Sequence, residues 1–210
     1  MTQQAETERA DKGEWRSFID EPAVYADPHR LAACLGDIVS EQACARMLGT
    51  ERLQARLSKL LEKHYRLSGF EQAVENDVDQ IIALATATDL EEIALRAGAI
   101  YWAGALAGTI LGPRATALHG ALGAELCAFG LANRDLAGPL QPLDLVEGVR
   151  GRVLADGWRC VGAWCHAAPI SIGARVRLKR PPDELIDDLP VPPFDEAGPG
   201  IVRRAAGGAP

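Results

Sequence analysis

The chain has 210 residues, 48% apolar and 24% charged, which is enough for one sizeable hydrophobic core. Its net charge of −7, with no basic stripe carrying interleaved aromatics, excludes a nucleic-acid binder, because affinity for a polyanion rests on clustered Lys and Arg that displace counterions. Abundant Ala and Gly beside few aromatic residues favour close-packed helices over sheets, so the expectation is a mainly α fold, a single helical domain over 21–182.

Residues 1–20 read as a flexible N-terminal segment. Met1 to Gly13 is polar and lacks the apolar run of a secretion signal, and Trp15, Phe18 and Ile19 are its apolar anchors. An odd set of five cysteines (Cys34, Cys44, Cys127, Cys160, Cys165) fits reduced thiols in the cytoplasm. Asp27 before Pro28 makes a helix start, since the carboxylate caps a free N–H and proline has none to lose; this helix stops at Gly36. Ser40 opens a second helix that ends near Gly49. Thr50 then caps an amphipathic helix with Leu53, Leu57, Leu60, Leu61 and Leu67 on one stripe, ended by Gly69. A further helix is expected from Glu71 to Ala87, with Val74, Val78, Ile81, Ile82 and Ala85 inward.

Thr88-Asp-Leu-Glu91 matches a capping box and starts a helix through Trp102 to Leu111; Gly112-Pro113 breaks it and begins another through Leu118, His119 and Phe129 to Ala132. These are the two central apolar helices of the expected fold. Gly104, Gly108 and Gly112, four apart, predict a tight helix crossing on the first of them. The stretch Ala97 to Pro113 is uncharged but short and Ala/Gly-rich, so it reads as a buried helix and not a membrane span. After the loop Asn133 to Pro139, Asp144 caps a last long helix through Trp158 and Trp164 to Pro169. Alternating Ile170, Ile172, Ala174, Val176 and Leu178 suggest a short β segment near 170–180. Residues 183–210 read as a disordered acidic, proline-rich tail that the body would not miss.

Little in the chain carries chemistry. Cys160, Cys165 and His166 are the nearest approach to a metal site, but five residues apart on a helix the two thiols point about 140° away from each other. No cofactor, no metal and no catalytic residue is expected. His119 reads as a hydrogen-bonded core residue. Asn133-Arg134-Asp135 is the polar cluster of most interest: Arg134 and Asp135 can form a local ion pair, cap the preceding helix or anchor a partner. The basic run Arg175-Val-Arg177-Leu-Lys179-Arg180 reads as a solvated end of a strand or helix. As candidate partner-binding residues we take Arg134, Asp135, Arg175, Arg177 and Lys179.

The runs Arg96-Ala-Gly-Ala-Ile-Tyr-Trp-Ala, Ile110-Leu-Gly-Pro, Phe129-Gly-Leu-Ala-Asn-Arg-Asp-Leu-Ala-Gly138, Asp156-Gly-Trp-Arg-Cys-Val-Gly-Ala-Trp-Cys165 and Gly173-Ala-Arg-Val-Arg-Leu-Lys179 together resemble the SctK family of type III secretion accessory proteins over roughly residues 90–180. The resemblance implies a non-enzymatic, helical component of the bacterial sorting platform. Such a protein bridges the inner-membrane ring protein SctD to the pod protein SctQ. It implies protein partners, no nucleic acid, and a place in the cytoplasm, at the inner membrane through partners only. Two other classes stay open: a small helical enzyme with a site near His119 or Asn133-Arg134-Asp135, and an effector chaperone or regulator with an exposed apolar groove.

Overall fold

The computed structural model describes residues 13–67, 76–109, 112–142 and 146–207, and among these the regular structure is helical, with no strand. In chain order the helices are α1 (13–20), α2 (Pro28–Cys34), α3 (Glu41–Leu48), α4 (Gln54–Tyr65), α5 (Asp77–Leu84), α6 (Ala87–Tyr101) and α7 (Ala103–Ala107). They continue as α8 (Pro113–Leu122), α9 (Ala124–Ala132), α10 (Val149–Ala167), α11 (Ile170–Arg177), α12 (Glu184–Asp187) and α13 (Phe194–Ala206). The chain forms two compact units and not one domain over 21–182: Met1–Ala87 with Ala168–Asp183, and Thr88–Ala167 with Glu184–Pro210. The boundary escaped the linear reading because each unit joins segments far apart in the chain.

The first unit confirms the strongest start signals. Asp27 Oδ1 accepts from the His29 N–H at 2.8 Å, with Pro28 at the first helical position of α2, and Ser40 Oγ accepts from Ala43 N at 3.4 Å ahead of α3. Thr50 does not cap. Its hydroxyl donates to the Arg46 carbonyl at 2.7 Å, a 3-10 turn (Glu51–Leu53) follows, and α4 begins only at Gln54. α4 ends at Arg66, which takes a left-handed conformation (φ 51°); Gly69, Glu71 and Val74 lie outside the described residues. The leucine stripe holds: Leu57, Leu61 and Leu67 pack with Leu31, Leu48 and Leu178 in the core, each worth about 1.5–3 kcal/mol of buried apolar surface. Asn76 caps α5, where Ile82 is buried and Ile81, expected inward, is exposed.

Neither edge segment behaves as expected. Residues 13–20 are helical and Phe18 is buried, so this part of the N-terminal segment is docked. The segment expected as β is α11: Ile172 and Val176 are buried one helical turn apart, while Ile170, on the same face of a strand, is 79% exposed. The period-2 pattern and the four-residue spacing coexist in these few residues, and burial chose the second.

In the second unit the buried helices are α6 and α10. α6 begins at Ala87, so Thr88 stands inside the first turn and not at the cap. It stops at Tyr101, and α7 follows after Trp102. The close crossing lies at other glycines than the sequence suggested. A Cβ on Gly98 would lie 1.9 Å from the Val153 carbonyl oxygen, and one on Gly157 1.8 Å from that of Ala94, so here backbone touches backbone. Gly104 has nothing nearer than 3.9 Å, Gly108 meets only its own helix, and Gly112 faces open space, so their spacing marks no crossing. The helix expected over 113–132 bends by 100° at Gly123 (φ 94°) into α8 and α9, which leave His119 exposed and Phe129 half-buried. Apart from Arg114 and Glu125 their residues are uncharged and most are small, and a small side chain can face water at little cost. Among the described residues no single helix is long and apolar enough to cross a membrane, although α8 and α9 taken together have the length and composition.

The tail is the largest correction. α13 packs along α10, with Gly198 against the Cys160 backbone and the Ala163 methyl, and buries Ile201, Val202 and Ala205. It carries Pro199 in its interior, where proline removes a helix bond, so local propensity argued against it. Apolar burial against α10 outweighed that cost.

Candidate functional site

Two polar clusters, and one groove among several surface concavities, are built on different principles. In the first unit the basic run 175–180 is folded inward. Arg175 is 2% exposed; its guanidinium donates to the Ile19 carbonyl at 3.0 and 3.2 Å and to that of Ser171 at 3.0 Å. Lys179 is 5% exposed; its ammonium donates to the Ala83 carbonyl at 2.6 Å and to that of Ala85, and lies 5.1 and 5.4 Å from the ring centres of Phe18 and Tyr25. Arg30, also buried, donates to the carbonyls of Arg180 (2.8 Å) and Pro181 (3.3 Å). Three cations thus tie the segment after α10 to the N-terminal helices through main-chain oxygens. A buried charge needs such partners to offset its lost hydration. Arg175 and Lys179, taken from the sequence as partner contacts, are internal braces, and Arg177 is half-buried beside them. Arg30 was missed altogether, because one arginine in an apolar helix carries no pattern.

In the second unit the cluster at 133–135 lies on the 3-10 turn Arg134–Leu136. Asn133 is its buried member: its amide donates to the Phe129 carbonyl at 2.9 Å, and its oxygen accepts from Arg204 at 3.1 Å. Asp135 pairs with the same Arg204 at 3.3 Å and not with Arg134, which is exposed. The cluster therefore fastens α13 to the end of α9, a role hidden from the sequence because Arg204 sits in the region read as disordered. The exposed Asp135–Arg204 pair itself adds at most about 1 kcal/mol; the buried Asn133 bonds matter more. Further along, the Trp102 indole donates to Asp156 at 2.8 Å, and Arg159 donates to the other oxygen of Asp156 at 2.5 Å.

The thiols are placed for packing. Cys160 and Cys165 are both buried in α10, and burial pushes Cys160 up to about 12, which keeps it a neutral, weakly nucleophilic thiol. Burial likewise pushes Cys34 up to about 11 and Tyr65 up to about 12. His119, expected in the core, stands exposed on α8. Among the described residues no three His, Cys, Asp or Glu side chains gather as a metal set.

The groove lies in the second unit, between α10 and the segment 184–194, with a volume of about 220 Å³. Leu185, Leu189, Pro190, Val191 and Phe194 line it, with Glu184 and Asp188 on its lip. The phenyl ring of Phe194 stacks on Tyr101 at 4.6 Å, which holds that wall in place. Sequence reasoning missed this groove with the tail. A signal was present: Phe194, Ile201 and Ala205 recur at helical spacing.

Fold and clusters together define a mainly helical protein of two compact units, with charged groups used for internal bracing and an apolar groove open on its surface. No protein-family model matches the chain, and no solved structure matches it. It is similar to nodulation protein NolU of Rhizobium fredii and of Sinorhizobium fredii (strain NBRC 101917 / NGR234). Each is 28% identical over 186 residues, covering 86% of this chain and 82% of the relative.

Proposed function

We propose that the chain is a non-enzymatic adaptor in a bacterial type III secretion sorting platform, acting in the cytoplasm and joining the inner-membrane ring protein SctD to the pod protein SctQ. The secretion link rests on the resemblance carried by the sequence runs, and a similarity to two nodulation proteins over most of both chains accompanies it. The adaptor role rests on the SctK-like runs between residues 96 and 179. The structure adds physical support. Arg175 and Lys179 are held by main-chain carbonyls and Asn133 by Arg204, so these polar groups brace the fold, and His119 stands apart from them. The exposed apolar groove supports a protein-binding role, which an adaptor shares with an effector chaperone.

The test is a pull-down of the tagged protein from its native bacterium during secretion, read by mass spectrometry. Recovery of ring and pod components is the expected result. Recovery of neither, from cells shown to be secreting, overturns the reading.

A further inference from the structure

We propose that the groove between α10 and residues 184–194 is the docking site for a basic, apolar-striped helix of a partner protein. This rests on the reading that the chain works by binding proteins; which assembly it serves does not enter the argument. Leu189 is 79% and Val191 62% exposed, two large apolar side chains that both line a groove whose other lining is mainly apolar. Isolated exposed leucines are ordinary, but a contiguous patch over a concave floor marks an interaction surface. The volume of about 220 Å³ falls below the range of small-molecule sites and suits a few anchoring side chains.

Charge selects the partner. Glu184 and Asp188 stand exposed on the lip, and Asp195 and Glu196 stand exposed in the next helical turn. Arg159 is the cation among the described lining residues, and it is engaged: it binds Asp156 at 2.5 Å and lies 5.8 Å from the Phe194 ring centre. The lip therefore presents uncompensated negative charge around an apolar floor. A helix with Leu or Ile on one stripe and Lys or Arg beside it complements both features. The floor is also set in advance. A Cβ on Gly162 would lie 2.6 Å from the Leu185 carbonyl oxygen, so residues 184–186 sit directly on the α10 backbone. A preformed wall lowers the ordering cost of binding.

The experiment uses the full, isotope-labelled chain and a synthetic helical peptide of Leu and Lys, with a Leu/Glu peptide of the same pattern as control. Backbone amide shifts from the Lys peptide are expected to saturate and to be confined to residues 184–194 and their neighbours on α10, while the Glu peptide leaves them unmoved. The double variant Glu184→Lys, Asp188→Lys should weaken the Lys peptide by about tenfold or more. Glu51→Lys, Glu91→Lys, with the same change in net charge at exposed positions elsewhere, should leave it unchanged; circular dichroism confirms that both variants fold. No shifts, shifts scattered over the surface, equal binding of the Glu peptide, or equal loss in both variants would each overturn the proposal. So would concentration-dependent shifts of the same amides without peptide, which would assign the groove to a second copy of this chain. The peptide assay and the pull-down fail separately: ring and pod components recovered with a silent groove leave the adaptor reading standing and remove this site.

Discussion

The two units solve the same packing problem with opposite materials. The first surrounds a leucine core with long cationic side chains, and Arg30, Arg175 and Lys179 reach inward to carbonyl oxygens of distant segments. The second removes side chains altogether where its helices meet, so that Gly98 and Gly157 let α6 and α10 touch backbone to backbone. A long basic side chain can bridge a gap and supply several donors, but it must then find acceptors for each. Glycine closes the gap, yet it tolerates no addition. The first unit should therefore be sensitive to loss of charge and the second to gain of a single methyl group.

The largest effect expected falls on the second unit. Truncation after Pro193 removes Ile201 and Val202, each worth about 1.5–3 kcal/mol of burial, and with them Phe194, Ala205 and Arg204. Set against a domain's total of about 5–15 kcal/mol, this should abolish the cooperative melt of that unit, read by near-ultraviolet circular dichroism and hydrogen exchange. A truncated chain with native-like protection on α10 would show that α13 is dispensable. Next comes Gly157→Ala, expected to cost about 3–5 kcal/mol because the new methyl meets the Ala94 carbonyl. Gly104→Ala serves as its counterpart: with nothing nearer than 3.9 Å it should be neutral or gain up to about 1 kcal/mol in helix propensity. Equal urea midpoints for the two variants would remove the backbone-contact account.

In the first unit, Lys179→Met keeps the length of the side chain but strands the Ala83 and Ala85 carbonyls. We expect a loss of about 2–4 kcal/mol in urea unfolding. An unchanged midpoint would mean that the ammonium is no brace. The smallest effect is on pH dependence, and both units share it. Cys34, Tyr65 and Cys160 are held neutral in the fold, with values raised to about 11, 12 and 12 chiefly by burial. The unfolded chain ionises its thiols near pH 8.5 and its tyrosines near 10, so it releases protons first. The contribution of these groups should be constant below about pH 8 and turn against the fold as pH rises toward 12. Cys160→Ala should flatten this alkaline decline in the second unit alone; an unaltered slope would separate the decline from that thiol.

Much of the architecture could be read from local signals where cap, periodicity and apolar stripe agreed. Asp27-Pro28 and Ser40 started helices as expected, and the Leu57, Leu61 and Leu67 stripe found the core. Thr50 failed because its hydroxyl is turned back to donate to the Arg46 carbonyl and accepts from no N–H of the turn that follows. The glycines at 104, 108 and 112 failed because spacing records only what can approach closely, and the approach was made at 98 and 157 instead. Of the five residues singled out, Arg134 and Asp135 lie on the surface turn, Arg177 is half-buried, and Arg175 and Lys179 face the interior.

Helical class, acidic balance and the starts of α2, α3 and α8 follow from the residues alone, since capping and side-chain periodicity act within one or two turns of chain. The division into two units, the inward basic run, the docked C-terminal helix and the groove beside it do not. Each depends on which distant segment supplies the acceptor or the apolar partner. For Lys179 that partner is a pair of carbonyls at residues 83 and 85, and for Ile201 it is the face of α10. A charge is buried or a proline-bearing helix kept when such contacts outweigh the local cost, and that balance exists only once the chain has folded.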